Sequence, residues 1–182
     1  MEHNQEKQLL EGLVIRELKK SDPKLSVVDF NFGSKEYGFI DILAVDSKGQ
    51  LEIINFFSSA SIPSLINILN NYKFVLEMRH NLKQLYPAQT IDAQLPPKCL
   101  LVAPCFSSQF LRILSFLDSV KLNLFRYTLE ISRDIKNIKL FKVELEPNKV
   151  HNTTADTLKE RLRKIAPTIS DEEIDTFLSF FP

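Results

Sequence analysis

The sequence contains no tryptophan, only four glycines and only two cysteines. The few glycines exclude the glycine-rich phosphate loops, because none of them fits the GxxxxGKS/T or GxGxxG pattern, and nucleotide hydrolysis through such a loop is not expected. Cys99 and Cys105 form neither a CxxC zinc motif nor a disulfide framework. We interpret both as buried thiols that pack like small apolar side chains.

The chain also lacks an excess of either charge. Lysine and arginine number 23, and aspartate and glutamate number 23, so the formal net charge is zero. No overall field attracts a phosphate backbone, and nucleic-acid binding would need a local basic patch. The densest basic stretches are 79–83 and 159–164; the second alternates with apolar residues, which is typical of the solvated face of a helix.

Long hydrophobic runs are absent as well. No window has the roughly 18 uninterrupted apolar residues that span a bilayer, and the first residues lack the basic and apolar regions of a signal peptide. We therefore expect a cytoplasmic protein with no membrane contact. The 182 residues, 44% hydrophobic and 25% charged, suit a single globular core.

The sequence does contain a regular alternation of helical and strand periodicity. Apolar spacings of three and four predict helices, and β-branched and aromatic runs predict strands. In chain order, the predicted elements are a helix (5–20), three strands (25–32, 38–45 and 51–57), a long helix (61–85), a strand (98–104), a helix (106–117) and two strands (120–131 and 138–145). The strand at 98–104 is nearly all apolar, so we expect it to be buried on both faces of a mixed sheet with parallel central pairing.

Beyond Pro147 the composition changes, and two short helices are predicted, at 155–165 and 171–181. The second begins with a capping box at Ser170–Glu173. We therefore divide the chain into a domain of residues 1–147 and a helical tail of residues 148–182. The last helix has an apolar face formed by Ile174, Phe177, Leu178 and Phe181. Either the tail folds back and completes the core, or this face contacts a protein partner or a second copy of the chain.

Two segments carry a family resemblance. The first runs Gly38-Phe-Ile-Asp41-Ile-Leu-Ala-Val-Asp-Ser-Lys-Gly-Gln-Leu51, and the second runs Leu95-Pro-Pro-Lys-Cys-Leu-Leu-Val-Ala-Pro104, after Tyr86-Pro87. Together with the order of elements over roughly residues 5–145, they resemble bacterial members of the PD-(D/E)XK, or restriction-endonuclease-like, nuclease superfamily. The resemblance implies an α/β fold with a restriction-endonuclease-like mixed β-sheet core flanked by helices, here followed by a C-terminal helical hairpin.

In active members, an Asp and a Glu bind Mg²⁺, which activates water, and a neighbouring Lys assists. By position, Asp41 matches the Asp, but Asn55 stands where the Glu belongs and Phe57 stands where the Lys belongs. A hard Mg²⁺ ion prefers carboxylate oxygens, and one Asp beside a neutral amide offers half the anionic charge. The resemblance therefore implies a degenerate motif in which Asp41 binds metal weakly.

No other acidic side chain clearly replaces the missing Glu. Glu52 faces away from Asn55, because strand side chains alternate between the two faces. In some members the acid moves to the following helix, but the matching position here is Asn67. Asn67, Asn70 and Asn71 could line a polar groove, although such a cluster is more often a solvated helix face.

The first helix offers another source of a carboxylate. Glu6 or Glu11 could match the first-helix Glu that completes the metal shell in many members, and the sequence does not choose between them. Neither replaces the lost lysine, and Lys73 lies on the other side of its helix from Asn67. With its partners missing, Asp41 is better interpreted as a strand-end carboxylate that hydrogen-bonds the backbone of helix one or of the hairpin.

Three functions remain open. The first is a catalytically inactive nuclease-like module, without a cofactor, that binds nucleic acid or a protein partner. The second is a Mg²⁺-dependent DNA nuclease with a relocated active site built from Asp41, Asn55 and a glutamate of helix one. The third is a structural protein that forms oligomers through its helical tail. We prefer the first, because two motif residues are lost while the rest of the pattern stays regular.

Overall fold

The computed structural model describes residues 2–114, 122–132, 135–145, 159–160, 162–164, 167 and 169–178. The helices and strands with defined bounds are α1 (Glu2–Ser21), β1 (Ser26–Ser34), β2 (Gly38–Val45), β3 (Leu51–Phe56), α2 (Ile62–Leu85), β4 (Lys98–Ala103), α3 (Ser108–Leu114), β5 (Leu122–Ser132), β6 (Ile135–Val143) and α4 (Asp171–Leu178). Residues 159–160 and 162–164 are also helical. The predicted order of helices and strands from α1 to β6 is confirmed.

The strands form one mixed sheet in the order β1-β2-β3-β4-β5-β6. β1, β2 and β3 are an antiparallel meander, the pairs β3–β4 and β4–β5 are parallel, and β5–β6 is antiparallel. Parallel neighbours need a crossover connection, and α2 and α3 lie in the two connections that join these strands. The prediction of an α/β fold with a mixed sheet flanked by helices is therefore confirmed.

The hydrophobic core lies on both faces of this sheet. On one face, α2 buries a stripe of side chains that includes Leu65. On the other face, α1 buries Leu13 and Val14. The central strand β4 serves both layers, because Leu101 packs on the α2 side and Leu100 on the α1 side. The prediction that this strand is buried on both faces is confirmed.

The pairing of β2 with β3 does not extend to Asp41. The last paired residues are Ile42 and Ile54, so Asp41 and Asn55 lie opposite each other where the two strands separate. Ile40 packs in the α2-side layer and Ile42 in the α1-side layer, so the regular alternation of faces is interrupted at Asp41. This interruption turns the Asp41 side chain toward α1.

The described part of the C-terminal tail packs on α2. Leu162 and Ile174 are fully buried in the α2-side layer, and α4 contacts α2. The predicted capping box is present, because the N–H of Ser170 donates to Oε2 of Glu173 at 2.9 Å and the N–H of Glu173 donates to Oγ of Ser170 at 3.2 Å. Most of the helix predicted at 155–165 lies outside the described residues, as do 179–182 and the Phe177 side chain. The domain boundary after residue 147 stays a prediction.

Two predictions about burial are wrong. Cys99 is buried in β4, but Cys105 is exposed, because it follows Pro104 in the loop beyond the end of the strand. Asn71 is fully buried, so the asparagine cluster of α2 is not a solvated helix face. Its amide is turned inward to β2 and β3, where backbone groups need partners.

None of the described helices combines the length and the apolar character that crossing a bilayer requires.

Candidate functional site

Asp41 has both carboxylate oxygens engaged. Its Oδ1 lies 2.5 Å from Nζ of Lys7 on α1. Its Oδ2 accepts the backbone N–H of Phe56 at 2.7 Å and lies 3.5 Å from Nδ2 of Asn55. The carboxylate therefore satisfies the N–H group that β3 leaves unpaired where it separates from β2. This geometry agrees with the predicted strand-end carboxylate: the backbone that Asp41 binds belongs to β3 of the β2–β3 hairpin, and helix one contributes a side chain.

Lys7 joins Asp41 to Glu11. Nζ of Lys7 lies 3.9 Å from Oε1 of Glu11, one helical turn further along α1. Glu11 is buried, with 7% of its surface exposed, whereas Glu6 is exposed. Burial raises the pKa of the Glu11 carboxyl, the Lys7 ammonium lowers it, and the negative charge of Asp41 raises it further. The glutamate of helix one that lies beside Asp41 is therefore Glu11.

Asn55 connects β3 to β2 and α2 through neutral hydrogen bonds. Its Nδ2 donates to the backbone oxygen of Phe39 at 3.0 Å, and its Oδ1 accepts from Nδ2 of Asn71 at 3.3 Å. Nδ2 of Asn71 also lies 3.3 Å from the same Phe39 oxygen. Both amides are buried. A glutamate here would lack the N–H donor that the Phe39 carbonyl uses, so this arrangement favours an amide.

Asn67 lies against the first residue of β2. Gly38 has a φ of +83°, and a Cβ at this position would lie 2.3 Å from Oδ1 of Asn67. Glycine is therefore the residue that fits here without strain or displacement of the asparagine. Asn67 packs beside the backbone of β2, one helical turn before Asn71.

Phe57 lines a groove beside Asp41. The groove has a volume of about 630 Å³ and lies between α1, the end of β3 and β5. Lys7 and Asp41 line its polar end. Its walls are mainly apolar and include Leu9, Leu10, Phe56, Phe57, Tyr127 and Leu129. We call this feature the α1–β5 groove. Phe57 stands at the position that the resemblance assigns to a lysine, so a phenyl ring lines the groove beside Asp41 there.

The residues around Asp41 do not fit a Mg²⁺ ion. Such an ion requires near-octahedral oxygen ligands at about 2.1 Å. Here the Lys7 ammonium lies between the carboxylates of Asp41 and Glu11, and the amide of Asn55 is already hydrogen-bonded. Among the residues that the structure describes, no three His, Cys, Asp or Glu side chains form a group that could hold a metal ion. No catalytic step through a metal follows from this arrangement.

Two other candidates from the sequence lie away from Asp41. Oε1 of Glu52 is 3.5 Å from Nζ of Lys98 at the beginning of β4, so Glu52 faces away from Asn55 as predicted. Lys73 is exposed on α2.

Lys7 is the site residue that the sequence analysis missed. Residues three, four and seven apart share a helix face, so Lys7 lies on the same stripe as Leu10 and Val14. Both of these pack in the α1-side layer. A lysine on a buried stripe needs an anionic partner, and this signal could have identified it.

The raised pKa of Glu11 predicts a pH dependence of stability. An acid whose pKa is higher in the folded protein contributes stability as the pH falls from above that pKa toward the ordinary value of 4.5. The Glu11→Gln variant should therefore gain less stability than the wild type between about pH 7 and about pH 5. Urea unfolding at both pH values measures this difference. An unchanged pH dependence in Glu11→Gln would contradict the assignment.

No protein-family model and no curated protein matches this chain. Two solved structures align with part of it. A repair endonuclease from Pyrococcus abyssi aligns over 64% of this chain and 46% of its own, with 15% identity and a TM-score of 0.37. A complex of EndoMS with double-stranded DNA aligns over 62% of this chain and 43% of its own, with 16% identity and a TM-score of 0.35. The aligned part thus spans less than half of either neighbour.

Proposed function

We propose that this chain is a catalytically inactive nuclease-like module that acts by binding a protein partner. The observation behind the proposal is the ion pair of Lys7 with Asp41, whose charged atoms lie 2.5 Å apart. It neutralises the one motif carboxylate that remains and occupies the oxygen that would bind a metal. The proposal retains the cytoplasmic location and the absence of a cofactor that the sequence predicts.

The two other motif positions support the same proposal. Phe57 cannot supply the positive charge with which a lysine assists the attacking water. The amide of Asn55 uses its donor on Phe39 and its acceptor on Asn71. A relocated nuclease site built from Asp41, Asn55 and Glu11 would therefore have to displace Lys7 and break the amide network.

Nucleic acid is the alternative partner. Phosphate binding depends on lysine and arginine side chains that can neutralise phosphates. In the two densest basic stretches, Arg79 donates to a backbone oxygen at 2.7 Å, and Lys159 and Arg163 lie 2.7 and 2.6 Å from carboxylate oxygens of Asp175 and Asp171. These pairings favour a protein over a phosphate backbone as the ligand.

A cleavage assay tests the absence of catalysis. Labelled single-stranded, duplex and branched DNA, and RNA, are incubated with the full chain in Mg²⁺ or Mn²⁺ and then separated on a denaturing gel. We expect every substrate to remain intact. Cleavage that Asp41→Ala abolishes would overturn the proposal in favour of the relocated nuclease site.

The same substrates also test the choice of partner. Fluorescence anisotropy at low and moderate salt measures whether the chain binds them. We expect no binding at moderate salt. Binding that falls steeply with salt while the substrate stays intact would mean that the inactive module holds nucleic acid instead of a protein.

The Lys7→Met variant tests the ion pair itself. Removing the ammonium takes away the cation that pairs with Asp41 and Glu11, and we expect a loss of about 1 kcal/mol in the free energy of unfolding, reduced because Lys7 is partly exposed. The two carboxylates should then accept a divalent cation, so millimolar Mn²⁺ should raise the Tm of the variant more than that of the wild type. Lys73→Met, which removes an exposed lysine of α2, is the control. Equal Mn²⁺ responses in the variant and the wild type would contradict this account of Lys7.

A further inference from the structure

The walls of the α1–β5 groove include two apolar side chains that are largely exposed. Leu9 on α1 is 40% exposed and Leu129 on β5 is 52% exposed. Leu10 and Leu13, near Leu9 on the same helix, pack in the α1-side layer, whereas Leu9 lacks such cover. Apolar side chains gathered around a concave surface mark a binding site more often than scattered ones do. The volume of about 630 Å³ suits a ligand with several apolar groups.

Among the residues that the structure describes, those at the polar end of the groove carry an excess of negative charge. Glu6 and Asp41 line it, and Glu11 lies behind them, within 3.9 Å of Lys7. Lys7 supplies one positive charge against these three carboxylates and is already paired with Asp41. A phosphate backbone or an acidic peptide would be repelled here, whereas a lysine or arginine of a ligand would be attracted.

We propose that the α1–β5 groove docks a short peptide segment of a protein partner, with two or three apolar side chains against Leu9, Tyr127 and Leu129 and a lysine or arginine beside Glu6. The apolar walls supply the contact area and the acidic end sets the direction of the segment. Tyr127 suits this role, because an aromatic ring gives a large contact area with little loss of conformational freedom. The inference rests on the proposal that the chain is a binding module.

Peptide selection tests this occupant without knowledge of the partner. A random peptide library displayed on phage is selected against the full chain, and peptides that also bind Leu129→Asp are discarded. We expect the remaining peptides to be enriched in leucine or phenylalanine beside lysine or arginine. No enrichment, or enrichment in acidic peptides, would overturn the proposal.

Affinity measurements on one selected peptide locate its site. Fluorescence anisotropy with the synthetic, fluorescein-labelled peptide should show at least tenfold weaker binding to Leu9→Asp and Leu129→Asp, and about threefold weaker binding to Glu6→Gln. Leu85→Asp is the matched control, because Leu85 is 63% exposed at the end of α2 and outside the groove. Equal losses in all four variants, or none, would place the peptide elsewhere. Far-ultraviolet circular dichroism checks that each variant is folded.

Two further outcomes would assign the groove to another occupant. Sedimentation that shows a dimer of the wild type and a monomer of Leu129→Asp would mean that a second copy of the chain fills the groove. Nucleic-acid binding that Leu129→Asp abolishes would mean that it holds bases. Either result overturns peptide docking but leaves the absence of cleavage intact, whereas metal-dependent cleavage overturns the proposed function without deciding what the groove binds.

Discussion

Replacing Lys98 with methionine is expected to lower the free energy of unfolding by about 3 kcal/mol, because it strips two partly buried carboxylates of their counterion. Nζ of Lys98 lies 2.5 Å from Oδ2 of Asp46 and 3.5 Å from Oε1 of Glu52. The side chains of Asp46 and Glu52 are only 6% and 12% exposed. This cluster ties the β2–β3 hairpin to the beginning of β4, at the end of the sheet away from Asp41.

The loss should also depend on pH. Burial raises the pKa of Glu52, and the Lys98 ammonium opposes this shift. Burial also acts to raise the pKa of Asp46, but hydrogen bonds from Lys98 and from the backbone of Gln50 and Lys48 outweigh it, so the pKa of Asp46 is lowered. An acid whose pKa is lower in the folded protein stabilises the fold at pH values above its ordinary pKa. This stability is lost as the pH falls through the lowered pKa of the folded state. The difference between Lys98→Met and the wild type should therefore be largest near neutral pH and shrink as the carboxyl groups become protonated.

Urea unfolding followed by circular dichroism measures both effects. The matched control is Lys142→Met, because Lys142 is 53% exposed and its partner Glu144 is 81% exposed. Exposed pairs contribute little, so we expect a change below about 0.5 kcal/mol in the control. Equal destabilisation by the two variants would mean that the Lys98 cluster does not stabilise the fold.

Replacing Ile174 with alanine is the second change with a large expected effect, a loss of about 3 kcal/mol. Ile174 is fully buried and packs with Leu65 and Leu162 in the α2-side layer. Removing three methyl or methylene groups leaves a cavity that the surrounding side chains fill only in part. Thermal unfolding of the full chain measures the loss. Glu172→Ala, which alters an exposed residue of the same helix, should cost far less.

The same variant distinguishes the two predicted roles of the tail. If the tail completes the core, Ile174→Ala lowers the Tm and leaves the sedimentation coefficient unchanged, and removal of residues 151–182 destabilises the chain. A tail that served only to form oligomers would instead change the sedimentation coefficient with little change in the Tm. The burial of Leu162 and Ile174 favours the first result.

The sequence was sufficient to predict the order and direction of the elements, because hydrophobic periodicity is a local property of the chain. The run from Cys99 to Ala103 is apolar at every position, and a strand that is buried on both faces keeps all of these side chains from water. The capping box at Ser170 and the outward direction of Glu52 follow from the same kind of local rule.

Local rules did not identify the environment of individual polar residues. The asparagines of α2 looked solvated by composition, yet Asn71 is buried because Asn55 and the Phe39 carbonyl lie above it. Cys105 looked apolar, yet the chain has already left the sheet at that point. In both cases the deciding partner lies on another element, which no periodicity within one helix or strand can reveal.

The sequence by itself determined the α/β fold with its mixed sheet, since the order of helices and strands follows from residue types read along the chain. Only the tertiary structure decided which charge meets Asp41. α1 and β2 come together because their apolar faces share one core layer, and that packing brings Lys7 to Asp41 and Glu11. A charge paired across two elements depends on their packing, and packing is a property of the whole fold.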